Sequence, residues 1–351
     1  MRDVTRVCSL LALLGILITP FSAGCGRRPA DQEIVIYISA DETIARPIID
    51  AFEDSTGFRV QPVFDTEATK TTGLVSRLLS ERERPRADLF WSSECFRMIE
   101  LQQQGVLESL SGPPFDSWLS DREGQWRADD GSWFAFAPRA RVLVYVPGRV
   151  PAEELPRSWE ALAAETWKGR LAMADPRFGT TSGHMGVLQA VWGQTRFEAW
   201  VEGLARNGTA LLTTGNSGVV RSVVSGEYLI GMTDTDDVWA ALRQGDEVAQ
   251  IQLRHLAEGM NGGGTLLIPN TVGLVRGAPN PEGARMLAQW LLSVDVENLL
   301  AASDSRNIPL RSDPGELAVD DPMVVDLVQA TRELPAAVER VHRALRLSED
   351  R

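Results

Sequence analysis

The chain has 351 residues, 44% of them hydrophobic, and a formal net charge of −13 from 48 acidic and 35 basic side chains. A surface with this acidic excess repels phosphate backbones and excludes nucleic acid as a partner. The length exceeds what one ordinary hydrophobic core encloses and predicts two domains.

Arg2 and Arg6 precede an apolar run from Val7 to Thr19, and Pro20, Ser22, Ala23 and Gly24 lead to Cys25. Residues 1–24 therefore read as a secretory signal peptide, since a membrane span needs roughly 20 apolar residues. Cleavage there would present the Cys25 thiol for lipidation, so a lipoprotein anchored to the membrane is expected. Ser22 stands where a lipobox carries Leu, and the same triplet suits an ordinary signal peptidase. The exported chain would hold 33 basic and 47 acidic residues, a net charge of −14. Cys95 then has no partner for an intramolecular disulfide. Residues 25–32, polar and carrying Pro29, read as a tether.

Ordered elements begin at Glu33. The run Ile34–Ile38 has the continuous apolar, β-branched character of a strand buried on both faces. A helix is predicted over Arg46–Thr56 with Gly57 as its stop, then a strand at Arg59–Phe64. A second helix at Thr71–Leu79 and a third strand at Ala87–Trp91 complete a β-α-β-α-β order. Strands follow at Arg141–Tyr145, Arg170–Met173, Thr209–Leu212 and Tyr228–Met232. They alternate with helices at Ser182–Trp192, Phe197–Leu204, Gly218–Ser225 and Asp236–Arg243. Two further strands are predicted at Leu266–Ile268 and Thr271–Val275, then helices at Pro281–Leu292 and Ala336–Leu347. The pattern is that of an open α/β sheet with crossover connections.

Several segments carry a resemblance in the right order. They are Val35-Ile-Tyr37 with Asp41, Ala51-Phe52 with Thr56-Gly57, and Ala87-Asp-Leu-Phe-Trp-Ser-Ser-Glu94. Arg141-Val-Leu-Val-Tyr145, Trp167-Lys-Gly-Arg-Leu171, Thr181-Ser-Gly183, Asn216-Ser217 and Pro281-Glu-Gly-Ala284 follow. The chain resembles the ABC-importer solute-binding proteins of the ferric-iron-binding type over nearly its whole exported length. That resemblance implies a type II periplasmic-binding fold: two α/β lobes, each a sheet flanked by helices, joined by crossing strands and closing on a ligand. Crossings are placed near 136–144 and 264–275. The first lobe is then 33–138 with its return at 265–310, and the second is 139–264 with C-terminal helices in 311–351. The resemblance also implies ABC permease subunits as membrane partners and a monomer that delivers a small ligand or metal ion.

Thr180, Thr181 and Ser182 sit before an apolar helix, where free backbone N–H groups and the helix dipole favour an anion. An ordinary N-cap role is the other reading of the same residues. Asn216 and Ser217 make a second such entry. In look-alikes of the family, Ser and Asn at these places hold a phosphate or carbonate beside the metal. Thr233-Asp-Thr-Asp-Asp237 follows a strand, at the carboxyl edge where α/β ligand sites gather.

Here the resemblance breaks: ferric-binding relatives carry adjacent tyrosines where this chain has Asp236 and Asp237, and its three tyrosines are scattered. Carboxylates suit hard cations, so Asp234, Asp236 and Asp237 are candidate metal ligands; helix capping is the alternative. Asp41, at the family's first-lobe His position, and Glu67 are the opposing oxygen candidates. Ser92, Ser93 and Glu94 follow the third strand toward the same rim. The cargo expected is ferric iron or another hard metal with a synergistic anion. The alternative is a small organic solute: a phosphonate, an amine such as thiamine or a polyamine, or a polyol, with Trp91 or Trp239 as a stacking face.

Catalysis has little support. Neither Ser182 nor Ser217 has the flanking glycines of a nucleophile elbow, and no catalytic cofactor motif is present. His184, His255 and His342 are expected to be isolated from one another, without H-E-x-x-H spacing, His184 on a helix surface and His342 on the polar face of the last helix.

Overall fold

The computed structural model describes residues 33–65, 72–118, 126–255 and 263–349. The expected signal peptide, the tether with Cys25, and Glu67 lie outside the described residues.

The first half opens with β1 (Glu33–Ile38), which pairs in parallel with β2 (Arg59–Phe64) and β3 (Leu89–Ser92). The crossovers are α1 (Glu42–Thr56) and α2 (Thr72–Ser80). α1 starts four residues before the expected Arg46 and carries Pro47 inside it. Its first turn closes on the Asp41 carbonyl, which accepts from Ile44 N–H at 3.0 Å and Ala45 N–H at 2.9 Å. Gly57 ends it in the left-handed conformation. Next come α3 (Phe96–Gln103) and the short β4 (Leu107–Glu108), neither expected from the sequence.

β5 (Trp133–Tyr145) runs through both halves of the molecule. Its first part pairs antiparallel with β10 (Leu267–Val275), and its second part, from Arg141 onward, pairs with β8 (Ile230–Asp234) and β9 (Ala249–Gln252). Between the two parts the strand bends at Ala137, which has φ +39°, a value an L-residue adopts only when its surroundings hold it there. The Asn270 amide does so, donating to the Ala137 carbonyl at 2.7 Å, and β10 carries its own register shift between Ile268 and Asn270. The two strands expected at 266–268 and 271–275 are this one irregular strand.

In the second half β8 pairs in parallel with β6 (Leu171–Ala174), which pairs with β7 (Ala210–Leu212). α4 (Gly179–Trp192), α5 (Gln194–Arg206), α6 (Gly215–Ser225) and α7 (Thr235–Gln244) connect and cover these strands. The strand order is β2-β1-β3-β10-β5-β8-β6-β7. α8 (Pro281–Leu291) opens with Asn280, whose side chain accepts from Gly283 N–H at 2.9 Å, a cap worth about 1 kcal/mol. α9 (Val294–Ala302) follows at once.

Each half has a core on both faces of its sheet. α1, α8 and α9 close over one face of the first half through Ile48, Phe52, Leu287 and Leu300, and α2 and α3 cover the other. α6 and α7 bury Val220, Val223 and Val238 against β5, while α4 and α5 lie on the opposite face. The last helix, α10 (Leu327–Glu349), begins nine residues before the expected 336. Leu327, Ala330 and Leu334 join the cluster of Phe96 and Ile99, whereas Ala337, Val341 and Leu345 join that of Trp159 and Leu188. At Gly186 on α4 a Cβ would stand 2.5 Å from the Ala330 carbonyl oxygen, so only glycine permits this approach of α10.

Candidate functional site

All the parallel strands of a half point their carboxyl ends the same way, and the loops leaving those ends face one another across β5. They enclose a cavity of about 410 Å³. The first half supplies Asp41 after β1 and Ser93 after β3. The second half supplies Asp175 and Phe178 after β6, Thr213, Asn216 and Ser217 around the start of α6, Asp234 at the end of β8, and Asp236 and Asp237 just after it. Arg139, on the crossing strand, lies in the wall between them.

Two helices begin on this cavity. α4 and α6 each open with a glycine in the left-handed region that lines the cavity, Gly179 at φ +56° and Gly215 at φ +71°. The residues before them, Phe178 and Thr214, make no side-chain cap. Uncapped N–H groups and aligned dipoles at two converging helix starts favour a negative charge. Asn216 locks the pair together. Its Nδ2 donates to Thr180 Oγ1 at 2.9 Å and to Asp234 Oδ2 at 2.8 Å, and its Oδ1 accepts from the Thr181 hydroxyl at 3.2 Å.

Asp234 is 1% exposed and its oxygens are occupied. Arg141 Nη1 donates to Oδ1 at 2.8 Å, and the Thr180 hydroxyl joins Asn216 on Oδ2. Arg139 Nε approaches the same Oδ2 at 3.4 Å. Its role in this structure is to hold α4, α6 and β5 in register, although one oxygen of each of Asp234, Asp236 and Asp237 lies within 4.8 Å of the others. Asp236 Oδ1 accepts from Asp237 N–H at 3.1 Å, its Oδ2 lies 3.5 Å from Arg139 Nε, and Asp234, at the N-cap of α7, makes no side-chain cap.

Arg139 is 8% exposed and spans the halves, since its Nη2 also donates to the Ser93 carbonyl at 2.5 Å. Burial works against its charge, but Asp236, Asp234, Asp237 and Asp41 outweigh that and hold its pKa above the ordinary arginine value. Arg139 and Arg141 are two residues apart on one strand and so share a face. Neither was singled out in the sequence as a site residue, because arginines flanked by apolar strand residues give no local sign of an acidic partner.

Of the sequence candidates, Thr180, Thr181, Asn216, Ser217, Ser93, Asp41, Asp234, Asp236 and Asp237 all line the cavity. Ser182 and Ser92 do not. Ser182 is turned into the protein with its hydroxyl unpaired, and Ser92 is fully buried against Glu94. Trp239 lies under the Arg306 guanidinium, 4.5 Å from its ring centroid, rather than in the wall. None of the three tyrosines, all described, lines the cavity.

The histidines depart most from expectation. His184 is fully buried on α4 rather than on a surface, and its Nε2 meets His255 Nε2 at 2.9 Å, with Trp159 packed on both rings. Burial lowers both pKa values, His184 well below the ordinary range and His255 to about 3, the latter partly offset by its hydrogen bond with the Gly264 carbonyl. Burial thus keeps both rings neutral where they meet.

Residues 34–303 match the family of bacterial extracellular solute-binding proteins. The chain belongs to that family. It is 26% identical over 294 residues to iron uptake protein A1 of Synechocystis, covering 80% of this chain and 79% of that one. To the Fe(3+)-binding periplasmic protein of Serratia marcescens it is 30% identical over 211 residues, covering 60% of this chain and 59% of that one. The fold of the ferric binding protein from Campylobacter jejuni superposes with a TM-score of 0.78 at 19% identity, covering 89% and 99% of the two chains. This solute-binding protein thus has the two-lobed α/β fold of the type II periplasmic binding proteins, with its cavity between the lobes.

Proposed function

We propose that this solute-binding protein captures ferric iron, or another hard metal ion, together with an accompanying anion, and delivers the pair to the permease of an ABC importer. The observation that carries the reading is the meeting of the Asp236 and Asp237 carboxylates, beside Asp234 with its oxygens already engaged, with the starts of α4 and α6 in one cavity. Carboxylate oxygens suit a hard cation, and the helix starts with Arg139 suit the oxyanion beside it. A cavity of about 410 Å³ is larger than a bare ion needs and accommodates an anion of several oxygens. The names of the relatives from Synechocystis and Serratia support the same cargo. Within the wall, Asp236 and Asp237 are the metal ligands, with Asp41 closing from the first lobe, and Asp234 fixes the anion cradle. The protein acts by binding and not by catalysis, as an exported monomer, held to the membrane by a lipid on Cys25.

The test is thermal melting with ferric ion in the presence of carbonate, phosphate or an organic oxyanion. A ligand at one hundred times its dissociation constant raises stability by about 2.7 kcal/mol. Wild type should melt higher with metal and anion together than with either alone, and the variant Asp236→Ala/Asp237→Ala should lose that response. Unchanged stabilisation in the variant refutes carboxylate ligation.

A further inference from the structure

Behind the cavity the two halves touch where α3 of the first meets α4 of the second. Phe96, the first residue of α3, is buried, and its ring occupies the place where Gly183 lacks a side chain. A Cβ at 183 would fall inside the ring's surface, with Phe96 Cζ at 2.7 Å and Cε2 and Cδ2 nearer still. Gly183 has an ordinary helical backbone, so the missing side chain answers to space and not to conformation. Helix propensity alone would favour alanine there. Val187, one turn further along α4, belongs to the same hydrophobic cluster as Phe96, so this face of α4 rests on the core of the first half.

Both sides of this contact lead straight to the cleft. Ser93, just before Phe96 in the chain, lines the cavity, and its carbonyl is held by Arg139. Glu94 stiffens the link between them: its carboxylate accepts from Phe96 N–H at 2.6 Å and from Arg97 N–H at 3.1 Å, and its carbonyl accepts from the Thr271 hydroxyl at 2.9 Å. On the other side Thr180 and Thr181, which line the cavity, lie within one turn of Gly183 on α4. A closer approach of the halves at this point drives the ring into the backbone of α4. Packed interiors do not yield to that continuously, so the contact sets a limit.

We infer that Phe96, seated on Gly183, is the stop that fixes how closely the two halves approach, and that it thereby positions the first turn of α4, with Thr180 and Thr181, opposite Ser93 and Asp41. Phe96 does not itself line the cavity. It is a positioning residue, acting on solute affinity through the helix it supports. The inference rests on the cleft being the solute site, and does not require iron as cargo.

A size swap tests it, using wild type, Gly183→Ala, Phe96→Leu and the double variant. Amide hydrogen exchange, followed by mass spectrometry on the full chain without metal, reads the contact directly. Gly183→Ala should speed exchange over residues 183–187 about tenfold, the size of an overpacked contact. The amides of α5 and α7, elsewhere in the same half, should keep their wild-type rates. Calorimetry with ferric ion and carbonate reads the consequence: Gly183→Ala should bind about tenfold more weakly although every cavity-lining side chain is intact. Adding Phe96→Leu, which removes the ring atoms the methyl meets, should bring both readouts back to within about threefold of wild type. Three results overturn the inference: wild-type exchange at 183–187 in Gly183→Ala, a loss that Phe96→Leu does not relieve, or an equal rise in exchange across both halves. If Gly183→Ala does not fold, Phe96→Leu alone decides. Faster exchange at 183–187, across the joint, supports the stop, and a change confined to α2 and α3 refutes it. A wild type that ignores ferric ion and carbonate but shows the expected exchange pattern rejects the cargo reading alone.

Discussion

Asp234 and Arg141 form a buried ion pair whose two members are unequally supported, and a mutant cycle should expose the difference. Arg141 is fully buried and its Nε and Nη2 have no partners, so Asp234 is its main counter-charge. Asp234 has alternatives, namely the Thr180 hydroxyl, the Asn216 amide at 2.8 Å and Arg139 at 3.4 Å. Removing the anion strands a buried cation, and breaking a buried pair in this way costs about 3–5 kcal/mol. Asp234→Asn should therefore destabilise by about that much. Arg141→Met loses the bond to Asp234 and a long one, 3.4 Å, to the Thr180 hydroxyl, but also removes two unsatisfied buried donors, so its cost should stay below about 2 kcal/mol. The double variant should be less damaged than the sum of the two, with a coupling of about 1–3 kcal/mol. Urea unfolding followed by tryptophan fluorescence measures all four corners. Equal costs for the two single variants, or strict additivity, would refute the asymmetry.

Two more outcomes follow from the packing. The folded state keeps His255 neutral with its pKa lowered to about 3 from an ordinary 6.5, so its contribution is full above pH 6.5 and is lost as the pH falls toward 3. Unfolding free energy should drop by about 2 kcal/mol per such histidine between pH 7.5 and 5, and His255→Asn should flatten that slope; a slope the variant does not change contradicts the assignment. Gly186→Ala places a methyl 2.5 Å from the Ala330 carbonyl and should cost about 1–3 kcal/mol by forcing α10 off α4, visible as a lowered urea midpoint; an unchanged midpoint would show that the seam yields freely.

The alternation of strands and helices was legible because strands such as Ile34–Ile38 are apolar throughout and helices such as α8 and α10 carry a one-sided stripe. The short α3 and β4, and α9 packed directly behind α8, lack the length over which periodicity declares itself. The cavity was legible in outline for a topological reason: Thr180, Asn216 and Asp236 each follow a strand, and parallel strands bring those positions to one edge. What sequence order hides is partnership at long range. Asp234 pairs with Arg141, which lies 93 residues away. His184 and His255 meet across 71 residues. Ser182 fell on the wrong side because each helical residue turns the direction by about 100°, so one step beyond Thr181 points inward. The pairing of β5 with both halves, which sets Arg139 at the centre, is a tertiary fact without a local signature.

α10 covers two cores with one continuous rod, Leu327 to Leu334 on the first half and Ala337 to Leu345 on the second. A nonsense codon or a protease cut upstream of Leu327 would thus not trim an appendage. It would open a core in each half to water at once, leaving the crossing strand β5 to join the halves without the helix that seals them.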